Sequence, residues 1–421
     1  MCFSDKYLNR QKVYPDFISE TPQKDLNYIV VIPVYNEPDV ISSLESLYNC
    51  NRPEDSVEII IVINSSIDSN EEIKNNNRKT FEEIKLWEKQ HIESRFRIYI
   101  VDVPDFPTKF AGAGMARKTG MDEAISRFTQ INNHTGVIIS FDADCICDKN
   151  YFTEIENEFK YSPDTKASTI YFEHPIEGLE YDENIYNGIS HYELYLRYFK
   201  HSLNFTGFPF AYYTIGSCFA VRASVYVQQG GMNKRKAGED FYFLNKVFPR
   251  GNIAELNSTR VIPSPRSSER VVFGTGKEME KWLQNNKLDV YNFQAFIDLA
   301  EFLSCKEEFL NLTKDITGFS SLINSLSVPM KEFLDQSRFL NEMQIIVSDC
   351  NKKSTIDNRF YQWFDSFKVI KFLNFSHTNY YCKIPVCKVA SDFLQKTKQY
   401  SSSTEDARTL LKVFRKLDRE K

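Results

Sequence analysis

Short apolar runs alternate with longer polar stretches from residue 28 to about residue 145. Residues 28–33, 57–63 and 96–101 have strand length and are rich in Val and Ile, which pack well on a pleated surface. Between and after them, apolar residues at helical spacing predict helices over 38–48, 71–89 and 115–128, and residues 136–141 predict a fourth strand. This rhythm predicts an α/β fold with a mostly parallel sheet covered by helices. Ligands of such sheets collect beyond the carboxyl ends of the strands. The polar segments that follow those ends, Val34-Tyr35-Asn36-Glu37, Asn64-Ser65-Ser66 and Asp142-Ala143-Asp144, are expected to meet on one rim.

Beyond Gly276 glycine becomes scarce, and Trp282, Phe296, Leu299, Phe302, Phe309 and Leu310 recur at helical spacing. The expected organisation is an N-terminal extension over 1–27, an α/β domain over 28–276 and a helical C-terminal region over 277–421. In the last segment Leu410, Leu411, Phe414 and Leu417 share one face against Lys412, Arg415, Lys416 and Arg419. Such a helix docks on the body or, in the alternative reading, lies peripherally on a membrane surface.

Length and charge narrow the classes. A chain of 421 residues has room for a large core and more than one domain. With 52 Lys+Arg against 57 Asp+Glu the net charge is -5, which argues against a nucleic-acid binder and requires focused arginines for any anionic ligand. The nine cysteines are scattered, with no CxxC pair and no leader ahead of them, which predicts a reduced, cytoplasmic chain. Cys145 and Cys147 lack a neighbouring His or a second thiol pair and are read as packing residues. No apolar run is long enough to span a bilayer.

The chemistry starts at Asp142 and Asp144. Strand alternation predicts both carboxylates on one side, and two hard oxygen ligands suit Mg²⁺ or Mn²⁺ completed by substrate phosphates. The same spacing also occurs in solvated acidic loops. Ile32-Pro33-Val34-Tyr35-Asn36-Glu37-Pro38 stops a strand at a proline-bounded turn and places acids at the next helix start. Gly238-Glu239-Asp240 sets adjacent carboxylates before an aromatic helical segment, which suits a general base or a simple helix cap. The Pro263-Ser264-Pro265 approach leads to Arg266 and Arg270, planar donors able to reach a diphosphate. Residues 111–120, AGAGMARKTG, carry Arg117 where a dinucleotide fingerprint needs its third glycine, and they lie mid-chain, which excludes a nicotinamide site. The small residues there let a helix approach the sheet, with Arg117 or Lys118 available to a ligand.

Taken together, these segments resemble the family 2 inverting glycosyltransferases of GT-A fold over about residues 28–276. The resemblance is carried by IPVYNE, AGAGMARKTGMDEA, DAD after an apolar strand, GSCFAVRASVYVQQGGM at 216–232 and GED at 238–240, in that order. It implies Asp144 as ligand of Mg²⁺ or Mn²⁺, Asp142 as a nucleotide or metal contact, and Asp240 as base with Glu239 the neighbouring candidate. Pro33, Tyr35, Glu37, Asn64, Arg117, Arg266 and Arg270 complete the expected nucleotide-sugar site. The implied reaction moves one sugar from a nucleoside-diphosphate sugar, with inversion, to a glycan, lipid-linked or small-molecule acceptor.

Two departures bear on substrate. Ile63-Asn64-Ser65-Ser66-Ile67-Asp68 stands where many relatives carry a VDDGS-like element, which leaves the nucleotide base open, and the absence of QxxRW predicts single transfer rather than polymer extrusion. The acceptor is expected over Tyr171-Phe172-Glu173-His174 and residues 192–213, although most of those rings belong in a core and His174 is read as structural. Two other readings remain. A sugar nucleotidyltransferase would open with a glycine-rich, Arg-bearing loop where PVYNE stands; a catalytically silent scaffold would bind a partner through the C-terminal helices.

Overall fold

The computed structural model of the protein describes residues 2–236, 238–267, 274–350, 352–399 and 404–420. After a short helix, α1 (Asp5–Gln11), the chain alternates β1 (Leu26–Val34), α2 (Val40–Tyr48), β2 (Ser56–Ser66), α3 (Glu71–Gln90), β3 (Phe96–Phe106), α4 (Ala113–Gln130) and β4 (Val137–Ser140). Then come β5 (Cys145–Cys147), α5 (Tyr151–Tyr161), β6 (Ala167–Phe172), α6 (Glu183–Phe205), β7 (Phe219–Arg222), α7 (Ala223–Gln228), α8 (Glu239–Val247) and β8 (Ile253–Pro263). The strands form one sheet in the order β3-β2-β1-β4-β7-β6-β8-β5. β3, β2, β1 and β4 run parallel, as do β6 and β8, while β7 is antiparallel to both its neighbours and β5 to β8. The fold is therefore α/β with a mostly parallel sheet, as the alternation implied. Helices cover the parallel half on both faces, which is why Ile59, Ile60, Ile61 and Val62 are all buried in an uninterrupted run.

α4 is buried on every side from Gly114 to Phe128, charged residues included. Each charge is met. The hydroxyls of Tyr7 and Tyr226 donate to Asp122 at 2.6 and 2.9 Å, the N–H groups of Phe17 and Ile18 donate to Glu123 at 3.2 and 3.0 Å, and Arg127 pairs with Glu58. The bonds from Tyr7, Phe17 and Ile18 tie the N-terminal extension along α4. Close packing on the sheet depends on Gly120, where a Cβ would stand 2.5 Å from Val31 Cγ1 and 2.9 Å from Val62 Cγ2.

The chain divides into two compact units: the first runs from the N-terminus to Tyr186 and includes Thr214–Lys281, and the second comprises Asn187–Tyr213 and Trp282–Glu420. The sheet lies in the first. Most of α6 is grouped with the C-terminal helices. In the second unit Phe302 meets Phe309, Phe339 and Phe364 with ring centroids 6.0, 5.4 and 4.9 Å away. The last helix, Ala407–Arg419, buries Leu410, Leu411 and Phe414. It also sends Asp418 into a buried cluster with Arg197, the Tyr213 hydroxyl at 2.7 Å, His201 Nε2 at 3.0 Å and Lys200 Nζ at 3.3 Å. Among the described residues no helix is long and apolar enough to cross a membrane.

Candidate active site

The carboxyl ends of β1 and β2 are joined by amide side chains. Asn36, at φ 49°, donates its N–H to Asn77 Oδ1 at 2.8 Å; Asn77 Nδ2 donates to the Asn64 carbonyl at 2.8 Å; Asn64 Nδ2 donates to the Val34 carbonyl at 2.8 Å. Asn64 is buried, so it braces the rim from beneath, and its Oδ1 has no hydrogen-bond partner among the described residues. Pro33 is tolerated inside β1 because the ladder to β4 ends at Val31 paired with Ser140, before the side on which proline lacks a donor is needed. Tyr35 is partly exposed beyond it. Glu37 is buried, and its carboxylate pairs with Arg266 while accepting from the Asp39 N–H at 3.3 Å. Arg266 also lies 3.6 Å from Asp144 Oδ2 and therefore connects the first loop with the D-A-D segment. Arg270 lies outside the described residues.

Strand alternation does not place Asp142 and Asp144. β4 ends at Ser140, and residues 142–145 form a turn closed by the Cys145 N–H donating to the Asp142 carbonyl at 3.1 Å. The two aspartates consequently serve different neighbours, Asp144 facing Arg266 and Asp142 pairing with Arg117. The turn is anchored from below by Ser43, whose hydroxyl donates to the Ala143 carbonyl at 2.8 Å.

Arg117 is the centre of a second cluster. Expected to face a ligand, it is buried on α4, where its guanidinium pairs with Asp142 and Glu239 and donates to Ser140 Oγ at 2.9 Å. Lys118, the other candidate, is spent on Asp122 at 2.8 Å and the Tyr7 hydroxyl at 3.1 Å. α8 begins at Glu239 after Gly238, and close approach around it rests on glycines. A Cβ on Gly112 would stand 2.8 Å from the Lys236 carbonyl oxygen, and one on Gly114 3.0 Å from Glu239 Cβ. At Gly216 it would lie 2.9 Å from Arg117 NH2 and 3.1 Å from Asp240 Oδ2. Burial raises the pKa of Glu239 against the opposing charge of Arg117. Burial and repulsion by Glu239 push the Asp240 carboxyl up to about 7, again restrained by Arg117.

Among the described residues no three His, Cys, Asp or Glu side chains cluster as a ready metal cage. The donors present fit a more open arrangement. The Asp144 side chain is 32% exposed and lies 3.6 Å from Arg266, and a hard carboxylate at the surface suits a cation whose shell is completed by phosphate oxygens and water. The rings expected near an acceptor are mostly core: Tyr171, Phe172 and His174 are buried.

Residues 29–228, which carry the rim loops, Arg117, the D-A-D turn and Gly216, match the family model Glycosyl transferase family 2. Over this segment the chain is similar to the family 2 glycosyl transferases. It also superposes on solved structures. One is TarS 1-349 of S. aureus, with a TM-score of 0.41, 13% identity, and 77% of this chain and 90% of that chain covered. The same protein in complex with UDP-GlcNAc gives a TM-score of 0.40, 14% identity, and 94% and 91% coverage. A mannosyltransferase from Pyrobaculum calidifontis in complex with GDP-Man and Mn²⁺ gives 0.36, 13%, and 85% and 93%. Similarity at this level assigns no residue of this chain. No curated protein sequence matches the chain at a significant level.

Sequence reasoning named most of this site but not its supports. Asn77 sits in the polar run Asn75-Asn76-Asn77 with nothing to mark it, and Ser43 is one serine among several in α2.

Proposed function

We propose that the protein moves a single sugar from a nucleoside-diphosphate sugar to an acceptor hydroxyl with inversion, Asp240 acting as general base. The observation that carries this reading is the Asp240 carboxyl, held near neutrality beside Gly216 and Arg117 in the cluster that also holds Asp142. The acceptor hydroxyl gives its proton to Asp240 while its oxygen attacks the anomeric carbon and the bond to the diphosphate oxygen breaks. Attack from one side and departure from the other invert the configuration. Arg266, poised between Glu37 and Asp144, donates to the leaving diphosphate. Asp144, with Asp142 beside it, would hold Mg²⁺ or Mn²⁺, which when bound offsets the charge of the diphosphate. Arg117 acts through the carboxylates it pairs rather than on substrate, and Tyr35 with Pro33 borders the nucleotide. The acceptor class stays broad: a glycan, a lipid-linked sugar or a small molecule.

Calorimetric titration of UDP, GDP, CDP and dTDP, with and without Mn²⁺, tests the donor half. Binding of one nucleotide that requires Mn²⁺ and is lost in Asp144→Asn protein is the expected result. Failure of all four to bind would overturn the donor site and favour a scaffold.

A further inference from the structure

One face of α2 grips the chain that leaves the D-A-D turn. Ser43 Oγ donates to the Ala143 carbonyl at 2.8 Å, Ser46 Oγ accepts from the Cys147 N–H at 2.7 Å, and just past the end of the helix Cys50 Sγ lies 3.5 Å from Cys147 Sγ. Residues 43 and 46 are one turn apart on α2, and Cys50 follows two residues after its last residue, Tyr48. The Asn51 N–H donates to the Lys149 carbonyl at 2.7 Å, so the two backbones lie side by side where the thiols meet. Both residues are reduced cysteines, and no cluster of three metal-ligating side chains surrounds them among the described residues. Two sulfurs in van der Waals contact on adjoining backbones need only close to a bond of about 2.05 Å.

We propose that Cys50 and Cys147 are a reversible disulfide pair, oxidised by hydroperoxides, that staples the end of α2 to β5 next to Asp144. The hydrogen bond from the Cys147 thiol, against the burial that opposes it, and the nearby Arg52 lower the Cys50 pKa, whereas burial pushes Cys147 well up, so Cys50 is the nucleophile. Its thiolate attacks one oxygen of the hydroperoxide, the O–O bond breaks, and a sulfenic acid forms as hydroxide or alkoxide leaves. The Cys147 sulfur then attacks the Cys50 sulfur and expels the oxygen as water, the thiol proton going with it. Two thiols lose two electrons in all, and one peroxide is reduced to two hydroxylic products. The bridge joins positions 97 apart, the kind of long closure that restrains an unfolded chain strongly.

Native full-length protein treated with graded hydrogen peroxide, then unfolded in denaturant with N-ethylmaleimide to block the remaining thiols and mapped by mass spectrometry, decides the matter. Expected is a Cys50–Cys147 cross-linked peptide pair at doses that leave the buried Cys145 and Cys218 alkylatable, cleavage of the bridge by dithiothreitol, and a higher melting temperature for the oxidised form. Cys50→Ser and Cys147→Ser each lose the bridge and the shift. Recovery of both residues as alkylated thiols, a bridge from Cys147 to another cysteine, or a Cys50 sulfinic acid with Cys147 still a thiol would overturn the proposal, and the wild-type map alone decides it if the serine variants fold poorly. Neither nucleotide nor sugar enters this readout, so its failure leaves the transfer reading standing, and failure of that reading leaves the bridge standing.

Discussion

Asp240 owes its poise to two neighbours that oppose each other. Burial and Glu239 lift it to about 7, and Arg117 keeps it from rising further. In the proposed role of base Asp240 must be unprotonated, so kcat/KM is expected to fall as pH drops through about 7 and to level off above it. Asp240→Asn keeps the shape and removes the proton acceptor; kcat drops by about 10²–10⁴ with donor binding retained. A wild-type rate in that variant would sink the assignment. Arg117→Met leaves Glu239 buried without its cation, a loss of roughly 3–5 kcal/mol in urea unfolding, and moves the pH limb upward because the restraint on Asp240 is gone. An unmoved limb would mean that Arg117 supports the fold without tuning the base. The carboxylates themselves were readable in the sequence, since each stands in a short motif. Their environment was not: Arg117 looked like a ligand contact because nothing local reveals that α4 is enclosed on every side.

Among the elements, those with simple periodicity were the ones the sequence showed. β1 and β2 appear as apolar runs because each is covered on both faces, β3 keeps only an apolar start because it is an edge strand with exposed positions, and α3 appears as a polar helix because most of it faces solvent. The D-A-D turn was misread for a physical reason: alternation predicts side-chain direction only while the strand lasts, and β4 stops at Ser140. The contact of Cys50 with Cys147 was invisible for a similar reason, since it depends on how α2 lies across β5. The small residues of α4 were read correctly as packing, and Gly120 is where that reading can be tested. With a Cβ 2.5 Å from Val31 Cγ1, Gly120→Ala forces α4 off β1 and β2, at an expected cost of about 1–3 kcal/mol in denaturant unfolding followed by circular dichroism. A change within error of zero would show that the helix shifts without penalty.

For the molecule as a whole, the helical character of the C-terminal region was plain from spacing, whereas the grouping of Asn187–Tyr213 with it was not, because α6 is continuous across the boundary and no composition change marks it. The second unit carries its own acid sensitivity in Asp418. Burial alone would raise this carboxyl, but the hydrogen bond from His201 and the charges of Arg197 and Lys200 hold it far below the ordinary aspartate range. A lowered folded pKa means that the native state keeps a carboxylate where the unfolded chain takes up a proton. The resulting stability is complete above about 4, the unfolded value, and drains away as pH falls below it. Asp418→Asn should therefore cost stability at neutral pH and flatten the acid slope, so that the gap between its stability and that of the wild type narrows as pH drops below about 4. Urea unfolding read by tryptophan fluorescence is suited to this, since Trp282 and Trp363 both belong to the second unit. A constant offset between the two proteins across that range would mean that the carboxylate contributes shape rather than charge, because only the charge is titrated away.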